Sequence, residues 1–178
     1  MWKFKRNQCR PNVAPVGQAT VESDLFGLTR TRTGWYCDTV VTRNFAPVAQ
    51  LLNLWLTSRL PYGILHEPWT WSSITINWGY ACKRHRDGNN VGPSIIRAFG
   101  TAQGGQLLYW PNDDHVSRPR GSLDDLVSDQ AMQLNIYNPY ALTCFNGNKA
   151  HETLPFEGED RFSIIFSLLA KQIASAIP

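Results

Sequence analysis

The sequence predicts a mainly β domain of the α+β class, a jelly roll backed by at least one amphipathic helix. Three observations lead to this prediction. The chain has 178 residues, a length typical of one domain, and 43% of them are hydrophobic. One stretch repeats apolar residues at helical spacing. Short runs of β type follow it and are separated by clusters of turn residues.

The first residues of the chain are expected to support the β core rather than belong to it. Residues 1–44 are polar and rich in Pro and Gly, and they predict an irregular N-terminal arm with two short strands. From 45 to 60, apolar residues recur at steps of three and four until Pro61 and Gly63. This spacing predicts a supporting helix. Its apolar face consists of Phe45, Val48, Leu51, Leu52, Trp55, Leu56 and Leu60.

Residues 72–170 carry the β pattern and are predicted to form the core of a single domain that spans 1–178. Many short strands after one helix favour a sandwich or barrel over a parallel βαβ sheet. The predicted strands are Ser73–Trp78, Ser94–Phe99, Gln106–Trp110, Ala131–Tyr137, Ala141–Phe145 and Arg161–Leu169.

Composition excludes several classes of protein. Seven Trp, eight Phe and six Tyr are too many for a disordered chain. No uncharged apolar run approaches the roughly 20 residues needed to cross a bilayer. The opening Met-Trp-Lys-Phe-Lys-Arg lacks the apolar segment of a signal peptide. We therefore expect an intracellular protein, cytoplasmic or nuclear, with no membrane partner.

The cysteines are scattered and form no Cys-x-x-Cys pair, which argues against a zinc ribbon or a thioredoxin-type site. Without a secretion signal, free thiols are expected. The cysteines are Cys9, Cys37, Cys82 and Cys144.

Three potential metal ligands lie in the β region. His85 and Asp87 are two residues apart, so they project from the same face of an extended chain, and the roll can bring His151 alongside. Two imidazoles and one carboxylate form the facial triad of non-haem Fe(II) oxygenases, which leaves adjacent metal positions open. By itself, the His85–Asp87 pair also fits a turn whose Asp bonds within its own loop.

The last predicted strand carries polar residues on one face. Its period of two places Arg161, Ser163, Ile165 and Ser167 together. A buried guanidinium without a partner costs several kcal/mol, so Arg161 beside Ser163 indicates a carboxylate ligand. The alternatives are an exposed strand end or an ion pair with one of the preceding acids, which are Glu157, Glu159 and Asp160.

Together these motifs resemble the Fe(II)/2-oxoglutarate-dependent oxygenase superfamily, over nearly the whole β region. The motifs are His85-x-Asp87, Gly104-Gly105-x-Leu107, His151 and Arg161-x-Ser163. The resemblance implies a double-stranded β-helix and a dioxygenase that uses O₂, releases succinate and CO₂, and hydroxylates an unactivated C–H bond.

The resemblance also implies roles for individual residues. Fe(II) would be held by His85, Asp87 and His151, and the carboxylate at position 87 argues for hydroxylation rather than halogenation. The distal carboxylate of 2-oxoglutarate would meet Arg161 and Ser163. Asn77 stands where relatives place a polar group against the co-substrate, although on its own it is equally a strand-end cap.

Within the superfamily, the chain is most similar to the TET and base-J-binding-protein oxygenases, which oxidise the methyl group of a pyrimidine in DNA. The similarity rests on 74–77, on 85–94, on Gly100 and on Gly104-Gly105. It implies a nucleic-acid substrate. A peptidyl (prolyl-type) hydroxylase, a small-molecule oxygenase and a non-enzymatic jelly-roll or cupin-like metal-binding protein remain as alternatives.

Basic and aromatic residues near the ligands allow two interpretations. A basic, aromatic mouth would suit a flipped base and its phosphates. Alternatively, the tryptophans pack in the core and the cations lie on a solvated surface. The residues concerned are Lys83, Arg84, Arg86, Trp69, Trp71, Trp78 and Trp110.

Overall fold

The computed structural model describes residues 3–7, 12–31, 33–60, 71–113, 123, 126 and 130–169. Two helices and twelve strands lie in these ranges. The elements in chain order are β1 (Arg6–Asn7), β2 (Val21–Arg30), β3 (Tyr36–Asp38), α1 (Val40–Asn44), α2 (Ala46–Thr57), β4 (Ser73–Trp78), β5 (Ser94–Gly100), β6 (Gln103–Gly104), β7 (Leu107–Tyr109), β8 (Met132–Leu134), β9 (Thr143–Phe145), β10 (His151–Thr153), β11 (Phe156–Glu157) and β12 (Arg161–Ser167).

The described strands form a seven-stranded major sheet, a smaller three-stranded sheet and a two-stranded sheet, and all pairings are antiparallel. The major sheet has the order β1-β2-β4-β12-β5-β9, and β3 pairs with β2. The smaller sheet has the order β10-β7-β8, and β6 pairs separately with β11. Neighbours in space that are distant in sequence are typical of a jelly roll. The predicted mainly β fold backed by helix is confirmed.

Helix α2 covers the outer face of the major sheet and lies within the predicted 45–60. Pro47 stands in its first turn, where a missing N–H costs nothing. Leu56 is fully buried, and Trp55 stacks on Phe166 of β12 at a centroid distance of 6.2 Å. Leu51, predicted to belong to the apolar face, is instead 65% exposed, because it lies about 100° around the helix from the centre of that face.

The prediction of an irregular arm over 1–44 is wrong at β2. This ten-residue strand pairs with β4 and places Phe26 in the core. The residue pattern of β2 gives no clear strand signal, because its inward side chains Ser23 and Leu25 line a largely polar cavity rather than a hydrophobic core. The usual alternation of apolar and polar residues is therefore absent.

Strand β12 has the predicted alternation of faces. The face that begins with Arg161 lines the cavity between the sheets, whereas Ile164 and Phe166 pack in the core under α2. The predicted strand Ala131–Tyr137 is shorter than expected: β8 ends at Leu134 because the Asn135 side chain accepts a hydrogen bond from the Tyr137 backbone N–H and starts a turn.

Two further expectations concern chemistry outside the core. Cys37, Cys82 and Cys144 are free thiols, and Cys9 lies outside the described residues. Neither α1 nor α2 has the length and apolar character that a membrane-crossing helix requires, and the described ranges contain no other α-helix.

Candidate metal and anion-binding site

The structure brings His85, Asp87 and His151 together at one edge of the smaller sheet. His151 begins β10, and His85 lies directly opposite it in the loop after β4. The two residues exchange both backbone hydrogen bonds, each 3.0 Å long, and their ring centroids are 4.2 Å apart. One potential ligand atom from each of the three side chains lies within 4.8 Å of the other two. This spacing suits a single metal ion.

Backbone carbonyls set the orientation of both imidazoles. His85 Nδ1 lies 2.7 Å from the carbonyl oxygen of Lys83, and His151 Nδ1 lies 2.9 Å from that of Lys149. A carbonyl can only accept a hydrogen bond, so each Nδ1 carries a proton and, in the neutral imidazole, each Nε2 carries the lone pair. Metal-ligating histidines are held in this way in known sites.

The Asp87 carboxylate divides its two oxygens between the loop and the imidazoles. Oδ2 accepts a hydrogen bond of 3.1 Å from Asn90, whereas Oδ1 lies 3.7 Å from His85 Nε2. A Cβ atom at Gly147 would lie 3.0 Å from Asp87 Oδ2, so glycine there lets the two loops approach. The turn interpretation and the ligand interpretation of Asp87 are therefore compatible.

These three side chains open into a cavity of about 490 Å³ between the sheets. The two histidines are buried, and the Asp87 side chain is 28% exposed. The other predicted site residues, Arg161, Ser163 and Asn77, line the same cavity. All six residues predicted from the sequence thus meet in one place.

Arg161 is only 1% exposed and has neutral hydrogen-bond acceptors. Its Nε donates to the Tyr137 hydroxyl at 3.0 Å and its Nη2 to the Gly105 carbonyl at 2.9 Å, while the guanidinium lies 5.1 Å from the Phe156 ring centroid. No carboxylate of the described residues comes within 4.0 Å of it. The alternatives of an exposed strand end and of an ion pair with a neighbouring acid are wrong. An anion in the cavity would complete the pairing of this charge.

Asn77 organises the polar floor next to Arg161. Its side-chain oxygen accepts hydrogen bonds of 2.8 Å from Ser23 and Tyr80, and its amide nitrogen donates to the Ser163 hydroxyl at 3.3 Å. Ser163 acts as acceptor in this bond, so its own hydroxyl hydrogen can be donated into the cavity. Asn77 is therefore more than a strand-end cap. Ser23, Tyr80 and Tyr137 were not predicted, because nothing local in the sequence marks them as partners.

A thiol also lines the cavity. Cys82 Sγ lies 3.0 Å from Thr153 Oγ1, and the two share a hydrogen bond. Burial raises the pKa of the Cys82 thiol, so it stays protonated near neutral pH. Cys82 does not belong to the group of close ligand atoms, which His85, Asp87 and His151 form among the described residues.

Among the described residues, the basic, aromatic mouth is not found. Arg86 makes two hydrogen bonds of 2.6 Å to Asp113, which raise the pKa of Arg86. Arg84 lies 4.1 Å from the ring centroid of Trp110, which is buried in the core. No tryptophan in the described ranges lines the cavity, and Trp69 lies outside them. Most of these cations and aromatics therefore serve internal packing.

The sequence matches no family model and no curated protein. Solved structures do match. A 2OG-Fe(II) oxygenase family oxidoreductase from Burkholderia pseudomallei superposes with a TM-score of 0.53 at 14% identity over 90% of this chain and 72% of that one. NgTET1 in complex with 5mC DNA gives a TM-score of 0.51 at 13% identity over 83% of this chain. This chain covers 60% of the NgTET1 chain. At these identities the likeness shows the fold, which is the jelly roll of 2OG-Fe(II) oxygenases.

Proposed function

We propose that this protein is an Fe(II)/2-oxoglutarate-dependent dioxygenase that hydroxylates an unactivated C–H bond. One observation carries the proposal: two imidazoles and a carboxylate, within 4.8 Å of one another, share a cavity with a buried guanidinium that has no carboxylate partner among the described residues. A metal-binding jelly roll that only held zinc would not need that guanidinium. The shared fold supports the same conclusion.

The residues present fit both the metal and the co-substrate. His85, Asp87 and His151 offer the donor set of non-haem Fe(II), with both histidine tautomers already fixed. Arg161 and Ser163 offer a forked cation and a hydroxyl to a carboxylate. When bound, Fe(II), 2-oxoglutarate and O₂ supply oxidative decarboxylation to succinate and CO₂ coupled to C–H hydroxylation.

The chain itself orients the reactants and limits access of water. Hydrogen bonds from each histidine Nδ1 to a backbone carbonyl hold the imidazoles at fixed angles, and Asn90 holds one Asp87 oxygen. Apolar side chains form one wall of the cavity and reduce its exposure to solvent. These side chains are Ile96, Leu107, Phe145 and Ile165.

The proposal is tested by assaying succinate from 2-oxoglutarate with Fe(II) and O₂. Slow uncoupled formation is expected without any added substrate, and it should require iron. A protein that binds Fe(II) or Zn(II) but neither binds nor decarboxylates 2-oxoglutarate would support the cupin-like alternative instead.

Substitution of Gly105 probes the position of Arg161. A Cβ at residue 105 would lie 2.6 Å from Arg161 Nε and 2.8 Å from the Tyr137 hydroxyl, so Gly105→Ala is expected to displace the guanidinium and raise the KM for 2-oxoglutarate. Gly92→Ala is a matched control, because its φ of 69° resembles the 70° of Gly105 but a Cβ atom at residue 92 would meet no neighbouring atom within 4 Å. Both variants carry similar backbone strain of about 1–2 kcal/mol. Equal KM values in the two variants would contradict this role of Arg161.

We further propose a pyrimidine methyl group in nucleic acid as the oxidised position. Neutral polar side chains dominate the cavity away from Arg161, and Asp87 and Arg30 carry the other charges among the described residues that line it. This neutral polar part of the lining suits an uncharged base rich in hydrogen-bonding groups. NgTET1, which shares the fold, is in complex with 5mC DNA. The neutral polar side chains are Asn7, Thr29, Ser73, Thr75, Asn89, Asn90 and Ser167.

This substrate class is tested with oligonucleotides that contain thymine or 5-methylcytosine, alongside a proline-containing peptide, with mass spectrometry for added oxygen. Oxidation of an oligonucleotide, with an affinity that falls as salt rises, is expected. Oxidation of the peptide alone would favour a peptidyl hydroxylase.

A further inference from the structure

Asp113 is a fully buried carboxylate outside the cavity, next to both segments that carry the metal-ligand candidates. It follows β7 and was not singled out by the sequence. Its two oxygens each accept a hydrogen bond of 2.6 Å from the Arg86 guanidinium. Oδ2 also accepts a hydrogen bond of 2.8 Å from the backbone N–H of Ala150.

Both partners of Asp113 are adjacent in sequence to metal-ligand candidates. Arg86 stands between His85 and Asp87, and Ala150 immediately precedes His151. In an extended chain, alternate residues project to opposite sides. The ligand candidates line the cavity on one side, while Arg86 reaches Asp113 on the other.

From this geometry we infer that Asp113 is a positioning residue, which ties the His85–Asp87 segment to the His151 segment at the separation that one metal ion requires. The inference rests on the proposed function for the identity of the ion. This role of Asp113 is separate from the fold as such and from the three side chains that would bind the ion.

A second pair of contacts acts on the same two segments. Arg84 Nε lies 3.5 Å from Glu152 of β10, and its guanidinium stacks on Trp110 at the end of β7. The Arg84 and Glu152 side chains are 22% and 23% exposed, whereas the Asp113 side chain is 0% exposed. The buried, bidentate contact is the more directional of the two, so it adds most to the two backbone hydrogen bonds through which His85 and His151 already join the segments.

The test measures the affinity of the whole protein for Co(II), whose visible absorption reports the geometry of its ligands. Asp113→Asn is expected to weaken Co(II) binding by about 10- to 100-fold and to change the spectrum, because outer hydrogen bonds contribute that much to metal affinity. Asp38→Asn, at an exposed position in β3, is the matched control and should leave both unchanged.

Because Asp113→Asn removes the charged partner that Arg86 has in Asp113, the variant loses stability as well. The double variant Arg86→Met/Asp113→Asn removes both charges, so its melting temperature should recover toward that of the natural protein. Its Co(II) affinity should remain low. Recovery of both properties in the double variant would overturn the inference, because the pair would then serve only the fold. A natural protein that binds no Co(II) would instead overturn the proposed function, and this inference with it.

Discussion

Replacing any one of His85, Asp87 and His151 by alanine is expected to abolish Fe(II) binding and succinate formation. Each replacement leaves two ligands, and two ligands do not hold Fe(II) against water. Loss of a hydrogen bond to a metal ligand lowers metal affinity by about 10- to 100-fold, and loss of a ligand itself should lower it by more. Asp87→Ala is the cleanest of the three variants, because the Asp87 side chain is 28% exposed and its removal disturbs the core least.

The measurement is an anaerobic Fe(II) titration followed by a succinate assay under air. Asp38→Ala serves as control, since Asp38 is an exposed carboxylate that is not among the residues lining the cavity. Near-normal turnover in a folded Asp87→Ala protein would remove the metal assignment.

Replacing Arg161 by methionine is expected to separate co-substrate binding from metal binding. Methionine fills similar space but offers no donor, so the distal carboxylate of 2-oxoglutarate loses its charged partner. Loss of one partner of a buried charge pair costs about 2–5 kcal/mol, which corresponds to a rise of roughly 30-fold or more in the KM for 2-oxoglutarate. Affinity for Fe(II) should change little, because Arg161 donates its hydrogen bonds to Tyr137 and Gly105, and neither residue is a metal-ligand candidate.

Two further variants show whether a change in KM comes from loss of the Arg161 guanidinium. Arg161→Lys keeps the charge but not the fork, so an intermediate KM is expected. Arg97→Met is the matched control: Arg97 lies on the neighbouring strand β5, outside the cavity lining, where it donates to the Ala141 carbonyl. The role of Arg161 would be contradicted if both methionine variants had the same KM for 2-oxoglutarate.

Strands with strong local patterns could be predicted from the sequence. Ser73–Trp78 was predicted with the bounds that β4 has, because hydrophobic and polar residues alternate along it and turn residues flank the β region. The face of Arg161 and Ser163 followed from the same period of two, and its burial followed from the apolar residues around it. The order and spacing of the histidines and Asp87 gave the ligand candidates.

The features that the sequence did not predict depend on contacts between residues that are distant in the chain. The residues of β2 that line the cavity mix polar and apolar side chains, so the strand lacks the usual alternation signal. Arg84 and Arg86 look like surface cations in the sequence, and only the fold shows Trp110 and Asp113 beside them. Tyr137 and Asp113 are hydrogen-bond partners whose importance comes from tertiary contacts rather than from any local pattern.

The most direct test of the central claim is a crystal structure obtained without oxygen in the presence of Fe(II) and an inert 2-oxoglutarate analogue. We expect one iron ion bound by both histidine Nε2 atoms and an oxygen of Asp87, with the analogue chelating it and reaching Arg161 and Ser163 through its far carboxylate. Iron bound elsewhere, or an analogue that leaves Arg161 bonded only to Tyr137 and Gly105, would contradict the account.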